Sequence, residues 1–417
     1  MSKINEIIQL QKRELELYFG NGYIQRTERL AELGKDIIKV VIGPRRAGKS
    51  FFIIHELRST NHFGYINFDD EHLTTLKNYD ELIASANLIY NSPKILFLDE
   101  IQNLPNWELF VNRLQRGGFN LILTGSNSNL LSSELASHLT GRYASTTIFP
   151  LSFKEYLSHF GKDLTETEIR ARLPEFATNG GFPEPLVKNL DYKSYLKSMY
   201  DSILFKDILK RHKIKSINSL DNLSAFLMAN WGNPYSYQSL AKAAGIKSTH
   251  TVEKYLGLLE EAFLLFELNA FSFKMKEQIK SNKKAYVIDN GLITAKSFSL
   301  SPNTGMLYEN LAAIALKKRQ LKGEIEFYYY KTSQEHEVDF VVKEGLKITS
   351  LIQVSYDISN PKTRSREVRP LLRAGKELGC DNLLLITEDF EAEVEEEWFG
   401  IKGKIRYIPL WKWLLNN

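Results

Sequence analysis

The chain has 417 residues, 43% of them hydrophobic and 25% charged, with a formal net charge of +4. That is the balance of an ordinary globular protein with chain enough for two or three domains, basic enough to meet nucleic acid without requiring it. The single cysteine, Cys380, excludes an intrachain disulfide, no apolar run reaches the roughly 20 residues that span a bilayer, and the early charges Lys3 and Glu6 argue against a secretory signal, so a cytoplasmic protein without membrane contact is expected.

Residues 1 to about 35 read as helical, with Ile4, Ile7, Ile8, Leu15, Leu17, Leu30 and Leu33 interleaved with charges and Gly34 placed to cap the end. A β-branched run then ends in Gly43-Pro44-Arg45-Arg46-Ala47-Gly48-Lys49-Ser50, followed at once by an amphipathic helix from Phe51 to Arg58. Strand, Gly-x-x-x-x-Gly-Lys-Ser loop and helix together form the phosphate-binding P-loop in its proper context. The two glycines let the backbone turn its N–H groups onto phosphate oxygens, and the helix N-terminus adds a favourable dipole. Lys49 is expected on the β- and γ-phosphates of ATP and Ser50 on Mg²⁺, with the loop from Gly43 to Phe51 around them.

Phe63 to Phe68 reads as a second strand, ending in the acidic Asp69-Asp70-Glu71, and Tyr79 to Tyr90 as a helix. Lys94-Ile95-Leu96-Phe97-Leu98-Asp99-Glu100 is an apolar strand closed by two carboxylates, suited to the middle of a parallel sheet. Asp99 is expected to hold Mg²⁺ and Glu100 to act as the general base toward water. After a helix from Trp107 to Arg116, the strand Phe119 to Thr124 ends in Gly125-Ser126-Asn127-Ser128, so Thr124, Ser126 and Asn127 are the candidates to sense a γ-phosphate. A helix from Leu130 to Leu139 leads to Arg142, which stands where an arginine finger would, supplied by a neighbouring subunit if the protein is an oligomer, and as readily a surface residue. The strand Ala144 to Phe149 follows. Alternating strands and helices predict an α/β domain, a mostly parallel sheet with helices on both faces and ligands at the carboxyl ends of its strands.

These motifs, with Leu-Thr-Gly-Arg at 139–142, Pro150-Leu151-Ser152-Phe153-Lys154-Glu155-Tyr156 and Gly180-Gly181-Phe182-Pro183-Glu184-Pro185, resemble the prokaryotic AAA+-type P-loop ATPases of the archaeal-type ATPase and STAND-related branch. The resemblance covers nearly the whole chain and implies an ATP- and Mg²⁺-dependent ATPase with a C-terminal domain of unknown function. Its implied domains are an ATPase domain at 1–158, a helical region at 159–222, a winged-helix-like domain at 223–294 and a C-terminal α/β domain at 295–417.

In the helical region, Phe205 to Lys213 is the most basic stretch, read either as a solvated helix face or as a nucleic-acid contact. The segment 223–290 resembles a winged helix-turn-helix, with helices at 223–230, 236–244 and 248–256 and strands at 263–273 and 284–288. Lys274, Lys276, Lys280, Lys283 and Lys284 would serve its wing as phosphate contacts. From about 295, a helix containing Glu309, three strands, a helix at 366–378 and a strand at 383–386 resemble the core of PD-(D/E)XK nucleases. That resemblance puts Glu309, Asp339 and Gln353 at the Mg²⁺ positions. Ser355 replaces the lysine that would end the active motif, so a degenerate site is expected. The acidic run Glu391 to Glu397 reads as a solvated helix face.

Three functions follow from these expectations. The first is a DNA-associated ATPase, with double-stranded DNA as partner. The second is a STAND-like switch that binds ATP or ADP and acts through a protein partner. The third is an ATP-dependent nuclease.

Overall fold

The computed structural model describes the chain apart from residues 1–2, 21, 31–36, 61, 77, 127–141, 213, 215 and 297–302. Its contacts gather into two compact units. The first is Met1–Pro150 with Leu186–Asn189 and Glu261–Phe263; the second is Leu151–Pro185, Leu190–Glu260 and Leu264–Asn417. The segments expected as helical region, winged-helix-like domain and C-terminal domain therefore fall, almost entirely, in the second unit. No helix among the described residues is long and apolar enough to cross a membrane.

The first unit is built on five parallel strands: β1 (Ile38–Ile42), β2 (Phe63–Asn67), β3 (Ile95–Asp99), β4 (Asn120–Gly125) and β5 (Tyr143–Thr147), in the order β2-β3-β4-β1-β5. The most apolar strands, β1 and β3, are buried along their whole length, as strands covered on both faces must be. Because every pair is parallel, the carboxyl ends of β1, β3 and β4 lie on one edge, with Ile42 beside Gly125 and Asn67 beside Asp99. Helix α1 (Lys3–Gly20) buries Ile4, Ile7, Ile8 and Leu15. Its Gln11 side chain donates to the Asn67 carbonyl (2.9 Å) and accepts from the Asn67 N–H (3.0 Å), closing backbone groups of the edge strand β2. The helix stops at Gly20, and described residues 22–30 are not helical, so the expected helix to residue 35 is too long. Leu33, Gly34 and the expected helix at 130–139 lie outside the described residues. Helix α2 (Lys49–Glu56) follows the P-loop, α3 (Tyr79–Ile89) precedes β3 and α4 (Trp107–Arg116) follows it.

The second unit begins with helices and a two-stranded antiparallel pair, β6 (Leu265–Leu268) and β7 (Lys284–Val287). The strand expected across 263–273 is only four residues long, and a short helix, Met275–Lys280, stands before β7. The basic stretch near 205 is a π-helical turn, Ile203–Leu209, with Ile203, Leu204, Asp207 and Ile208 buried, so it is not a wholly solvated face. Helix α5 (Thr304–Leu321) leads into a six-stranded mixed sheet of β8 (Glu326–Lys331), β9 (Glu337–Glu344), β10 (Lys347–Val354), β11 (Leu383–Thr387), β12 (Ala392–Trp398) and β13 (Ile401–Pro409). The order is β12-β13-β11-β10-β9-β8. Helix α6 (Pro361–Leu378) packs Val368, Leu371 and Leu372 onto Val341, Leu351, Leu385 and Ile405.

The acidic run expected as a helix face is strand β12. Ala392, Val394, Glu396 and Trp398 are partly buried and alternate with exposed Glu393, Glu395 and Glu397, which is strand period. Opposite it, β13 carries Lys402, Lys404 and Arg406, and Glu393 pairs with Lys404 across the strands. Six glutamates and aspartates in nine residues hid the period-two pattern from a reading by charge.

The Gly180-Gly181 motif is a packing joint. Gly180 has φ +75°, and a side chain there would run into the Asp289 carboxylate, while one at Gly181 would meet the Leu151 carbonyl. Asp289 accepts from the N–H groups of Gly181 (2.7 Å) and Gly291 (2.9 Å). Burial pushes its carboxyl up to about 7 against those hydrogen bonds.

Candidate functional site

Strand β1 delivers the chain to Gly43, whose φ of +148° and close approach to the Ile148 carbonyl leave no room for a Cβ. Ala47 N–H closes a turn on the Pro44 carbonyl (3.2 Å), Arg46 is left-handed (φ 63°), and Gly48 (φ 91°) starts α2. Phe51, in the first turn of α2, packs on Tyr18 of α1 with ring centroids 5.1 Å apart. Lys49 is 4% exposed. Its Nζ donates to the Gly43 (3.1 Å) and Pro44 (3.0 Å) carbonyls and stands 3.8 Å from Glu100 Oε1.

From β3, Asp99 enters the same place, 4% exposed. Ser50 Oγ donates to its Oδ1 (2.9 Å), Thr124 Oγ1 donates to the same oxygen, and Tyr65 Oη donates to Oδ2 (3.2 Å). Burial, and then the neighbouring charge of Glu100, push the Asp99 carboxyl up to about 6; Thr124, Ser50 and Lys49 oppose the shift. A desolvated carboxylate ringed by hydroxyls is a donor set suited to a hard divalent cation.

Glu100 occupies left-handed backbone, φ 51° and ψ 44°, a conformation that costs a non-glycine residue about 1–3 kcal/mol. Its N–H donates to Thr124 Oγ1 (2.9 Å) and its carboxylate accepts from the Gln102 amide. The strain is thus held at the residue whose side chain faces Lys49.

Thr124 is fully buried, and its hydroxyl donates to the Asp99 carboxylate and accepts from the Glu100 N–H, so it is already engaged within the protein. Ser126, 1% exposed, has a buried hydroxyl with no hydrogen-bond partner among the described residues. Asn127 lies outside them. Arg142 is not brought to this chain's own P-loop. It is exposed, and its carbonyl accepts from Ile38 N–H (3.0 Å) at the amino ends of β1 and β5. The parallel register of those strands puts it beyond the opposite end of the strand from Gly43, roughly 20 Å away.

In the second unit, Glu309, Asp339 and Gln353 do come together, lining a cavity of about 490 Å³ with Ser355, Arg366 and Glu367. One oxygen of each carboxylate and both polar atoms of Gln353 are engaged. Glu309 Oε1 accepts from Tyr286 Oη (2.6 Å) and from Lys284 Nζ (3.4 Å). Asp339 Oδ2 accepts from Val354 N–H (2.9 Å). Gln353 uses its carbonyl on Asp339 N–H (3.3 Å) and its amide nitrogen on Glu367 (3.0 Å), which also takes both donors of Arg366. No group of three or more His, Cys, Asp or Glu among the described residues is arranged to hold a metal.

Lys283 and Lys284, expected at the wing, are placed differently by the structure. Lys283 pairs with Glu267 (2.8 Å), and Lys284, 1% exposed, pairs with Glu309 and Glu337, so neither is a free wing cation. Burial works against the Lys284 charge, but Glu309, Glu337 and Asp339 hold its pKa above the ordinary value.

Residues 35–157 match the family described as AAA domain, and residues 170–302 and 304–410 match two domains of unknown function, DUF8612 and DUF4143. An uncharacterized protein of Methanocaldococcus jannaschii is 37% identical over 398 residues, 91% of this chain and 88% of that protein. One of Haemophilus influenzae is 32% identical over 340 residues, 78% of this chain and 83% of that protein. The chain belongs to this family of AAA-domain proteins. Among solved structures, a Walker-type ATPase of Pyrococcus abyssi is similar at a TM-score of 0.39 and 16% identity, covering 69% of this chain and 94% of that one.

The nucleotide-binding half of this AAA-domain protein was legible as motifs, but two of its supporting residues were not. Gln102 lies two positions beyond Glu100, a spacing that carries no signal until the backbone turns left-handed. Tyr65 reaches Asp99 only because β2 pairs with β3 with Tyr65 beside Phe97. In the second unit Glu367, which lines the pocket from α6, and Glu337, which meets Lys284 from β9, were likewise missed, since helix packing and strand register bring them there.

Proposed function

We propose that this AAA-domain protein binds ATP with Mg²⁺ through Gly43 to Phe51, hydrolyses it, and couples turnover to binding of double-stranded DNA. The observation that carries the hydrolysis is the convergence of Lys49, Ser50, Asp99 and Glu100 at the carboxyl ends of β1 and β3. Lys49 would leave the loop carbonyls for phosphate oxygens. Ser50 and Asp99 would hold Mg²⁺, which when bound neutralises phosphate charge. Glu100, released from Lys49, would accept the proton of the attacking water, and Gln102 and Thr124 would keep it aimed. The unpartnered Ser126 hydroxyl supports a contact to the terminal phosphate. Arg142 would act only on a neighbour's nucleotide, in an oligomer.

DNA coupling is supported by two features of the second unit. Helices Tyr237–Ala243 and Thr249–Glu261 precede the β6–β7 pair in the order of a winged helix-turn-helix. Lys242, Lys247, Lys254, Lys276 and Lys280 on these segments are exposed. The ATPase rate with and without double-stranded DNA, blanked with Lys49→Ala, tests the coupling. Stimulation that falls steeply with salt is expected. Slow turnover unaffected by DNA, with retained ADP, would replace this reading with a nucleotide switch acting through a protein partner.

A pH dependence follows from Asp99. Its carboxyl, pushed up to about 6, must lose its proton to hold Mg²⁺. Affinity for a Mg²⁺–nucleotide complex is therefore expected to be flat above pH 7 and to fall as pH drops through 6, approaching about tenfold per unit. Calorimetric titration from pH 5 to 8 measures this. Affinity that stays level down to pH 5 would show that Asp99 is not proton-linked to the metal.

A further inference from the structure

Behind the acidic pocket of the second unit stands a cation that does not line the cavity but touches one of its lining residues, Glu309. Lys284 enters from β7, outside the six-stranded sheet, while Glu309 comes from α5, and Glu337 and Asp339 from β9. The Lys284 ammonium lies 2.6 Å from Glu337 Oε1 and 3.4 Å from Glu309 Oε1, with the Tyr329 ring 5.5 Å away. Tyr286 adds a donor to the same Glu309 oxygen. At 1% exposure, this ammonium is removed from water and depends on those carboxylates for its solvation. A divalent ion held by Glu309 and Asp339 would share Glu309 with this ammonium and would meet a fixed positive charge beside it. Gln353 turns its carbonyl to backbone, and Arg366 takes Glu367.

We propose that Lys284 is the built-in counter-ion of this pocket, an ammonium behind its wall that neutralises the carboxylates a divalent metal would need and commits the pocket to a metal-free, non-cleaving role. The lysine missing at position 355 is not simply lost; a different lysine, brought by a different element, neutralises the cluster. The proposal does not depend on the nucleotide reading.

The test uses the full chain without nucleotide and Mn²⁺ alone as probe, counting bound ion by electron paramagnetic resonance. Wild type and Asp339→Asn are expected to bind the same number of ions. One extra ion in wild type, lost in Asp339→Asn, would overturn the proposal. Lys284→Met is expected to lower Tm in chelator, to regain it with Mn²⁺, and to bind one ion more than wild type, a gain abolished by adding Asp339→Asn. A folded Lys284→Met that binds no extra Mn²⁺ would also overturn it. Should Lys284→Met not fold, the comparison of wild type with Asp339→Asn decides.

Discussion

Lys49→Ala is expected to abolish tight nucleotide binding while leaving the fold intact. The ammonium is almost fully buried, and its three neighbours in the loop mouth are the Gly43 and Pro44 carbonyls and the Glu100 carboxylate. A triphosphate entering this loop would bring charge to a site where the main compensating cation is already desolvated. Truncating one partner of such a buried, hydrogen-bonded charge pair costs about 2–5 kcal/mol, or roughly 30- to several-thousand-fold in affinity. The loop itself does not need the side chain, because the Gly43 and Gly48 dihedrals and the Ala47-to-Pro44 turn are backbone features. Titration with a fluorescent ATP analogue, alongside a thermal melt, separates lost binding from lost structure. Unchanged affinity in the folded variant would refute the assignment.

Glu100→Gln is expected to bind ATP and turn it over about 10²- to 10⁴-fold more slowly, the span attributed to a positioned general base. The substitution keeps size and shape, and the backbone bond from residue 100 to Thr124 does not involve the side chain. What disappears is the proton acceptor. A second consequence distinguishes this from a merely structural effect. The Glu100 charge is the next cause after burial that raises the Asp99 carboxyl. Removing it lowers the Asp99 pKa, so the acid edge of Mg²⁺–nucleotide binding should move to lower pH in the variant. Single-turnover hydrolysis and recovery of bound ATP after gel filtration measure the first effect, and the pH series measures the second. Normal hydrolysis by Glu100→Gln would mean that another group takes the proton.

These two residues also mark what was readable in advance. Lys49 follows a glycine at the start of a helix and Glu100 follows a short apolar strand, so their expected roles come from local pattern. The left-handed backbone of Glu100 did not show, because nothing in Asp99-Glu100-Ile101-Gln102 forecasts a positive φ in a non-glycine residue. Thr124 was read as facing the substrate because it ends a strand at the ligand edge. Only the pairing of β3 with β4 reveals that its hydroxyl is consumed between the Asp99 carboxylate and the Glu100 N–H.

The second unit was legible in part. The helix, the three strands after it and the later helix-and-strand pair appear where periodicity put them, but β12 was hidden by its charge. Lys284 was misassigned for a deeper reason. As one of five lysines in eleven residues it reads as a solvated cation. Its burial depends on Glu309 and Glu337, residues 25 and 53 positions away (309 − 284 and 337 − 284).

The sequence by itself determined the P-loop, the Asp99–Glu100 pair and the parallel sheet that presents them. Each rests on glycine dihedrals, or on runs of apolar residues whose meaning is complete within a dozen positions. The tertiary structure decided which hydroxyls serve Asp99, which edge of the sheet Arg142 occupies, and which cation stands behind the acidic pocket. Strand order, register and the burial of a charge belong to contacts between distant segments. No local window carries them.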